Sequence, residues 1–329
     1  MNMKELVEKF IDQIEEGILI GERAELTVCN REFSNIVITG LGGSGIGGKI
    51  VSQLVEEQCD VPIIVNNTYD IPSFVSSESL VIASSFSGNT EETLIALEQA
   101  QAKGAEIAVI TSGGKMLEIA NANHYNHIIL PEGDSPRAML MYSLVQQFYL
   151  LNHYGIIDKT FVNELKASVK LLSDHLVGIK VEAKSIAEKL LGKTAVLYSE
   201  AKYEGVTIRF RQQLNENSKV LCWHHVLPEM NHNELVGWAG GKNEYAVIMF
   251  RNEDDFYRTQ RRMEITKEVV EKYTKDYIEV FSKGESRIQR SLYLILLGDW
   301  VSVYLSELRK VDAKEVHVIA HLKGELSKL

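Results

Sequence analysis

Short apolar runs at 36–39, 62–65, 80–84, 106–110 and 127–130 alternate with segments of helical spacing at 46–57, 90–102 and 114–121. That alternation leaves few options: βαβ units, a mostly parallel sheet, and helices covering its faces. A helix over residues 3–17 precedes the pattern, and a long helix, 139–154, closes it with Leu140, Leu144, Phe148 and Leu151 on one face. Residues 155–192 read as a helical bridge with Leu165, Val169, Leu172 and Leu176 spaced for packing. The pattern then restarts, with strands expected at 194–198, 220–223, 245–250 and 277–280 and helices at 203–215, 256–272 and 288–308. The expectation is an α/β chain of two αβα sandwich domains with mainly parallel sheets joined by helices, spanning 1–155 and 156–329.

In such sheets ligands sit at the C-terminal ends of the strands. Two turns of the first half fall there. One is Ser84-Ser85-Phe86-Ser87-Gly88-Asn89-Thr90, followed by Glu91 and Glu92. Ser85, Ser87 and Thr90 supply hydroxyls, Gly88 permits close backbone approach, and Asn89 or Thr90 is placed to cap the helix. The helix start favours an anion, since its first N–H groups lack partners. The other turn is Gly40-Leu41-Gly42-Gly43-Ser44-Gly45. Gly40, Gly42 and Gly45 fit a dinucleotide fingerprint, which also wants an acid at the end of the next strand. Here that strand ends in Asn66-Asn67, and Asp60 lies before it. A small phosphorylated ligand fits these turns better than NAD.

The formal net charge of −10 argues against a general nucleic-acid role, which needs a basic face. Three scattered cysteines, Cys29, Cys59 and Cys222, have no zinc-site spacing and read as reduced thiols of a cytoplasmic protein. The acidic, amphipathic start of the chain is read as neither a signal peptide nor a membrane span.

The second half has its own polar stretches, Asn215-Glu216-Asn217-Ser218-Lys219 and Pro228-Glu229-Met230-Asn231-His232-Asn233-Glu234. Glu216 closes a helix, where a carboxylate opposes the helix dipole. Such local conflicts point to function, though a solvated helix end would look the same. His232, taken alone, reads first as an ordinary surface or core histidine and only second as a functional one. A metal site at His224, His225 and His232 lacks the usual partners at short spacing.

Taken together, Gly-Leu-Gly-Gly-Ser-Gly at 40–45, Ser-Phe-Ser-Gly-Asn-Thr-Glu-Glu-Thr at 85–93, Ser-Pro-Arg at 135–137, Leu-Asn-Glu-Asn at 214–217 and Asn-His-Asn-Glu at 231–234 resemble the bifunctional phosphoglucose/phosphomannose isomerase family. The resemblance covers nearly the whole chain, including Ile319-Ala320-His321-Leu322-Lys323. It implies two sugar isomerase (SIS) domains and an aldose–ketose isomerase without metal or other cofactor. The implied substrates are glucose 6-phosphate and mannose 6-phosphate, converted to fructose 6-phosphate through a cis-enediol. By the same resemblance Glu216 is the base that moves a proton between C1 and C2. His232 opens the sugar ring, reaching the site from the partner of a homodimer. Arg137 stabilises the enediolate, and Lys323 lies near the ring-opening site. Ser44, Ser85, Ser87 and Thr90, with the Gly43 N–H, hold the phosphate. No membrane or nucleic-acid partner is implied. The chain departs from the family at Asp312-Ala313, where Asp-Pro is common, with Lys314 and Glu315 after it, and at Cys222-Trp223-His224-His225. Two other readings remain: a non-catalytic sugar-phosphate sensor and an enzyme acting on amino-sugar phosphates.

Overall fold

The structure is a computed structural model that describes residues 1–133, 135–326 and 328. It divides into two compact units. The first holds Lys9–Asp174 and Gly284–Gln289, and the second holds Met1–Glu8, His175–Lys283 and Arg290–Leu329. The sequence pattern changes at 155/156, whereas the packing divides inside a helix, between Asp174 and His175.

In chain order, helices α1 (Met3–Glu8) and α2 (Phe10–Glu22) lead to β1 (Asn35–Thr39), α3 (Gly42–Val55), β2 (Ile63–Asn66), β3 (Ser79–Ser84), α4 (Glu91–Ala102), β4 (Glu106–Thr111), α5 (Gly114–Asn123), β5 (Asn126–Ile129) and α6 (Leu140–His153). The long α7 (Thr160–Leu190) follows, then β6 (Thr194–Glu200), α8 (Glu204–Ser218), β7 (Trp223–Leu227), the short α9 (Glu234–Gly237), β8 (Tyr245–Arg251), α10 (Tyr257–Val270), β9 (Asp276–Phe281), α11 (Arg287–Arg309) and α12 (His317–Leu326).

The first unit is built on a parallel sheet of order β2-β1-β3-β4-β5. Its central strands are buried on both faces, which is why they read as unbroken apolar runs. Val37, Val81 and Val109 face α4 and α5 through Leu97, Ala100, Met116 and Ala120. Ile38 faces the other way, against α3, where Gly48 comes so close that an added Cβ would lie 2.8 Å from Ile38 Cγ2. The second unit has a parallel sheet of order β7-β6-β8-β9. Val196, Tyr198, Val247 and Met249 pack with Met230, Trp238 and Met263 on one face. On the other, Phe250 stacks on Phe210 of α8, which packs against Gly298 of α11. Helix α11 has the length and apolar content of a membrane span, but most of it is buried in the fold as a core helix.

Two expected elements move. Helix α3 starts at Gly42 rather than near 46, so the glycines expected as a loop form its first turns. The strand expected at 220–223 lies at Trp223–Leu227, with Val196 opposite Trp223 and Glu200 opposite Leu227. Helix α8 runs to Ser218, Lys219 turns left-handed (φ 56°), and Val220 and Leu221 are spent reversing the chain, Leu221 in solvent. Because β7 is an edge strand, it tolerates the polar pair His224-His225 that hid it.

Candidate active site

Each sheet has one place where the chain, having wound outward in one direction, restarts in the other. In the first sheet that switch lies between β1 and β3, and in α/β sheets of this order a ligand crevice opens there. The glycine turn follows β1 and the hydroxyl turn follows β3, so both border the same crevice.

The glycine turn is held by close contacts. A Cβ on Gly45 would stand 2.4 Å from the Gly40 carbonyl oxygen, and one on Gly40 would stand 2.6 Å from that of Ser84. Asn67, at the end of β2 where a dinucleotide site would keep an acid, instead donates to the Gly40 carbonyl at 2.6 Å. Leu41, extended at the N-cap of α3, makes no side-chain cap, leaving the helix start to a ligand's acceptors. Ser44 is buried in that first turn.

In the hydroxyl turn the Oγ of the buried Ser85 and the Oγ1 of the half-buried Thr90 are 2.8 Å apart, so these two hydroxyls form one unit. Ser87 is exposed, and its Oγ accepts from the Asn89 N–H at 3.3 Å. Gly88 has φ 67°, and a Cβ there would meet the Gly113 carbonyl at 1.8 Å, so no other residue fits. The capping expectation is corrected. Thr90 stands at the N-cap of α4, but its hydroxyl turns to Ser85 instead of the helix. The Asn89 carboxamide accepts from the Lys115 N–H at 3.0 Å and so caps α5.

Arg137 joins this crevice from a 3-10 turn, Pro136–Ala138, just before α6. The turn presses on the glycines: a Gly43 Cβ would be 3.4 Å from the Pro136 carbonyl oxygen and 3.8 Å from Arg137 Cα. Gln13 Nε2 donates to the Ala138 carbonyl at 2.7 Å and fixes the turn from α2. Arg137 is buried in that turn. Gly43, Ser44, Ser85, Ser87, Thr90 and Arg137 thus share one edge of one unit.

The other two expected residues belong to the second unit. Glu216 lies in the last turn of α8, half-buried. That turn is pinned to α11: Asn217 Nδ2 donates to Ser302 Oγ at 2.9 Å, and Ser218 Oγ to the Ser302 carbonyl at 2.8 Å. Two turns earlier, Arg209 and Asp299 form a buried ion pair at 2.9 Å. Burial pushes the Asp299 carboxyl up, against the pull of Arg209. His232 ends a 3-10 turn after β7 and is exposed. Its neighbours are tied down: Asn231 to Thr266 at 3.0 Å, Asn233 to Glu229 at 2.9 Å, and Glu234 to Trp223 Nε1 at 3.0 Å and to the Tyr198 hydroxyl. The motif's Glu234 therefore anchors the segment that presents His232.

Topology sets Glu216 and His232 apart. Helix α8 leaves the C-terminal end of β6 and returns to the start of β7, so its last turn lies at the N-terminal edge of the sheet. His232 follows the end of β7, at the C-terminal edge. Five residues of strand lie between the two edges, on the order of 15–20 Å. Lys323 is exposed on α12, which buries none of its side chains.

His224 and His225, adjacent on a strand, point to opposite faces. Burial pushes His224 below the usual histidine range, and the nearby Arg211 adds to this. Among the described residues no group of three or more His, Cys, Asp or Glu side chains is placed to hold a metal ion. One contributor to the turn was missed from the sequence: Asn67, whose position just after β2 was a visible signal.

Residues 31–156 match the SIS domain family, and residues 179–326 match the bacterial phospho-glucose isomerase C-terminal SIS domain. The chain is 38% identical to the bifunctional phosphoglucose/phosphomannose isomerase of Caldicellulosiruptor bescii, over 99% of each. It is 28% identical to the D-glucosamine-6-phosphate 4-epimerase of Sulfolobus acidocaldarius, over 88% of each. In structure it resembles the C-terminal domain of glucosamine-fructose-6-phosphate aminotransferase from Francisella tularensis, with a TM-score of 0.76 over 95% of this chain and 97% of that one. At 13% identity that likeness speaks for the fold alone.

Proposed function

The chain belongs to the bifunctional phosphoglucose/phosphomannose isomerase family, and from that premise we propose that it interconverts glucose 6-phosphate and mannose 6-phosphate with fructose 6-phosphate through a cis-enediol. The observation that carries this reading is the crevice of the first unit, bordered on one side by the glycine turn against which the turn of the buried Arg137 packs and on the other by the bonded hydroxyls of Ser85 and Thr90. A phosphate gains backbone donors from two helix starts and hydroxyl donors from Ser44, Ser85, Ser87 and Thr90. Arg137 faces negative charge that develops at the enediolate, where a fixed cation is worth most.

Glu216 takes the proton from one of C1 and C2 and returns it to the other, which a single carboxylate can do. His232 moves the proton at the ring oxygen, near neutral pH, and Lys323 stands by that oxygen. Glucose and mannose phosphates differ at C2, the carbon that becomes planar, so one enediol serves both. The working form in this proposal is a cytoplasmic homodimer in which each copy lends His232 to the other. The separation of Glu216 and His232 at opposite sheet edges supports that arrangement. No step in the proposal uses a metal.

The similarity to a glucosamine-6-phosphate epimerase favours one competing reading, an amino-sugar phosphate as substrate. A coupled assay with chelator present, run separately on glucose 6-phosphate, mannose 6-phosphate and glucosamine 6-phosphate, decides between them. Turnover of the first two to fructose 6-phosphate is expected. Turnover of the third alone would replace the proposal.

A further inference from the structure

We infer that Lys219 is a positioning residue for Glu216: its ammonium group straps the Glu216 carbonyl to the Glu315 carbonyl and fixes the end of α8 against the segment that leads to Lys323. The inference rests on the reading of Glu216 as the base.

The geometry begins with a residue in an unexpected conformation. Lys219 sits at the C-cap of α8 with φ 56° and ψ 43°, the left-handed region where helices usually place glycine. Its main chain does what a glycine would do: its N–H donates to the Leu214 carbonyl. What lysine adds is the side chain. Nζ donates to the Glu216 carbonyl at 2.5 Å and to the Glu315 carbonyl at 2.8 Å. The Glu216 carbonyl belongs to the last helical turn, whose oxygens have no intrahelical donor, and a cation there also suits the dipole. Glu315 lies two residues before α12, which carries Lys323.

The surroundings show what the strap adds. Asn217 and Ser218 are already held to Ser302, and Arg309 Nη2 donates to the Lys219 carbonyl at 3.4 Å. These contacts hold the outer residues of the helix end. Lys219 alone among them grips the Glu216 peptide and ties it to the approach to α12. A base that moves one proton between adjacent carbons depends on its placement, and a displacement of about 1 Å costs about 100-fold in rate.

The test uses the full chain with Lys219→Gly, Lys219→Met and Lys219→Arg, with Glu216→Gln in parallel. Lys219→Gly removes the strap while suiting the left-handed backbone, so its Tm should stay within about 2 °C of the parent or exceed it. Its kcat for fructose 6-phosphate formation should fall by about 10- to 100-fold while KM changes less than about threefold. Lys219→Met should lose kcat similarly. Lys219→Arg, whose fork can still reach two carbonyls, should recover most of it. The acidic limb of the pH profile of kcat/KM should shift in Lys219→Gly and not in Lys219→Arg. The inference is overturned if Lys219→Gly and Lys219→Met keep kcat within about twofold while Glu216→Gln is inactive. It is equally overturned if kcat losses simply follow Tm losses across the three variants. Full turnover by Glu216→Gln would remove the base assignment itself and the strap's role with it.

Discussion

Ser85 and Thr90 bond each other at 2.8 Å, so each hydroxyl orients the other. Under the proposed function, removing one takes a direct donor from the phosphate and leaves its mate without a fixed direction. Thr90→Val or Ser85→Ala should therefore weaken fructose 6-phosphate binding about tenfold, ~1.4 kcal/mol. The double variant should lose little more than either single one, because the two act as one unit. Isothermal titration would show this; losses that multiply to about 100-fold would mean the hydroxyls act separately. These residues were legible in the sequence because their chemistry is local: hydroxyls and a glycine between a buried strand and a helix. The role of Asn89 was not, since its partner Lys115 lies 26 positions on. Nor was that of Glu234, whose acceptor work depends on Tyr198, 36 positions back.

At the scale of elements, the strands of the first sheet were readable because double-sided burial leaves only apolar residues in them. Helix α3 was misplaced because glycine lowers helix propensity by about 1 kcal/mol, and tertiary packing overrode that preference. The glycines are there for proximity, which no local pattern announces. A prediction separates the two effects. Gly45→Ala puts a Cβ 2.4 Å from the Gly40 carbonyl, and main chain cannot yield as a side chain can, so the Tm should fall despite the propensity gain, with a loss of about 2 kcal/mol or more. Gly47→Ala meets nothing closer than the end of the Gln147 carboxamide at 3.2 Å, with Leu140 and Leu144 at ordinary contact distance, and its Tm should stay near the parent's. Thermal melts check both, and a Gly45→Ala protein as stable as the parent would show that the turn can relax.

The second sheet makes a contrast at the same scale. Its switch point lies between β6 and β8, where the first sheet keeps its hydroxyl turn, but carboxylates occupy it. Glu200 accepts from the Phe256 N–H with both oxygens at 3.1 Å, and Asp255 accepts from the Asn252 N–H at 2.7 Å. Burial pushes the Asp255 carboxyl up to about 7, and the neighbouring Glu200 adds to it. Because the folded value lies above the unfolded one, this group's contribution to stability is full below about pH 4 and is lost as pH rises through about 7. Asp255→Asn does not titrate, so its Tm relative to the parent should rise from pH 5 to pH 8, as the stability difference changes by an amount on the order of a few kcal/mol at most. Melts across that range test it, and an offset independent of pH would show that no proton is taken up there.

For the whole molecule, the proposed roles of Glu216 and His232, at opposite edges of one sheet, call for a site shared between two copies. A base and a ring-opening group must both reach one small sugar, within hydrogen-bond distance of the protons they move. The length of β7 between them is too great for that within one chain. If each site takes Glu216 from one copy and His232 from another, two inactive proteins can repair each other. Glu216→Gln and His232→Ala, each inactive alone, should regain activity when mixed under conditions that exchange subunits. In a mixed dimer one site carries both lesions and the other carries neither. With equal amounts and random pairing, half the dimers are mixed and half their sites are intact, so activity should return to about one quarter of the parent's. A mixture as inactive as its components, with exchange verified by mass, would place both residues in one chain's site and overturn the shared-site reading. A return above that fraction would instead mean that mixed pairs form preferentially, which the same mass measurement reports.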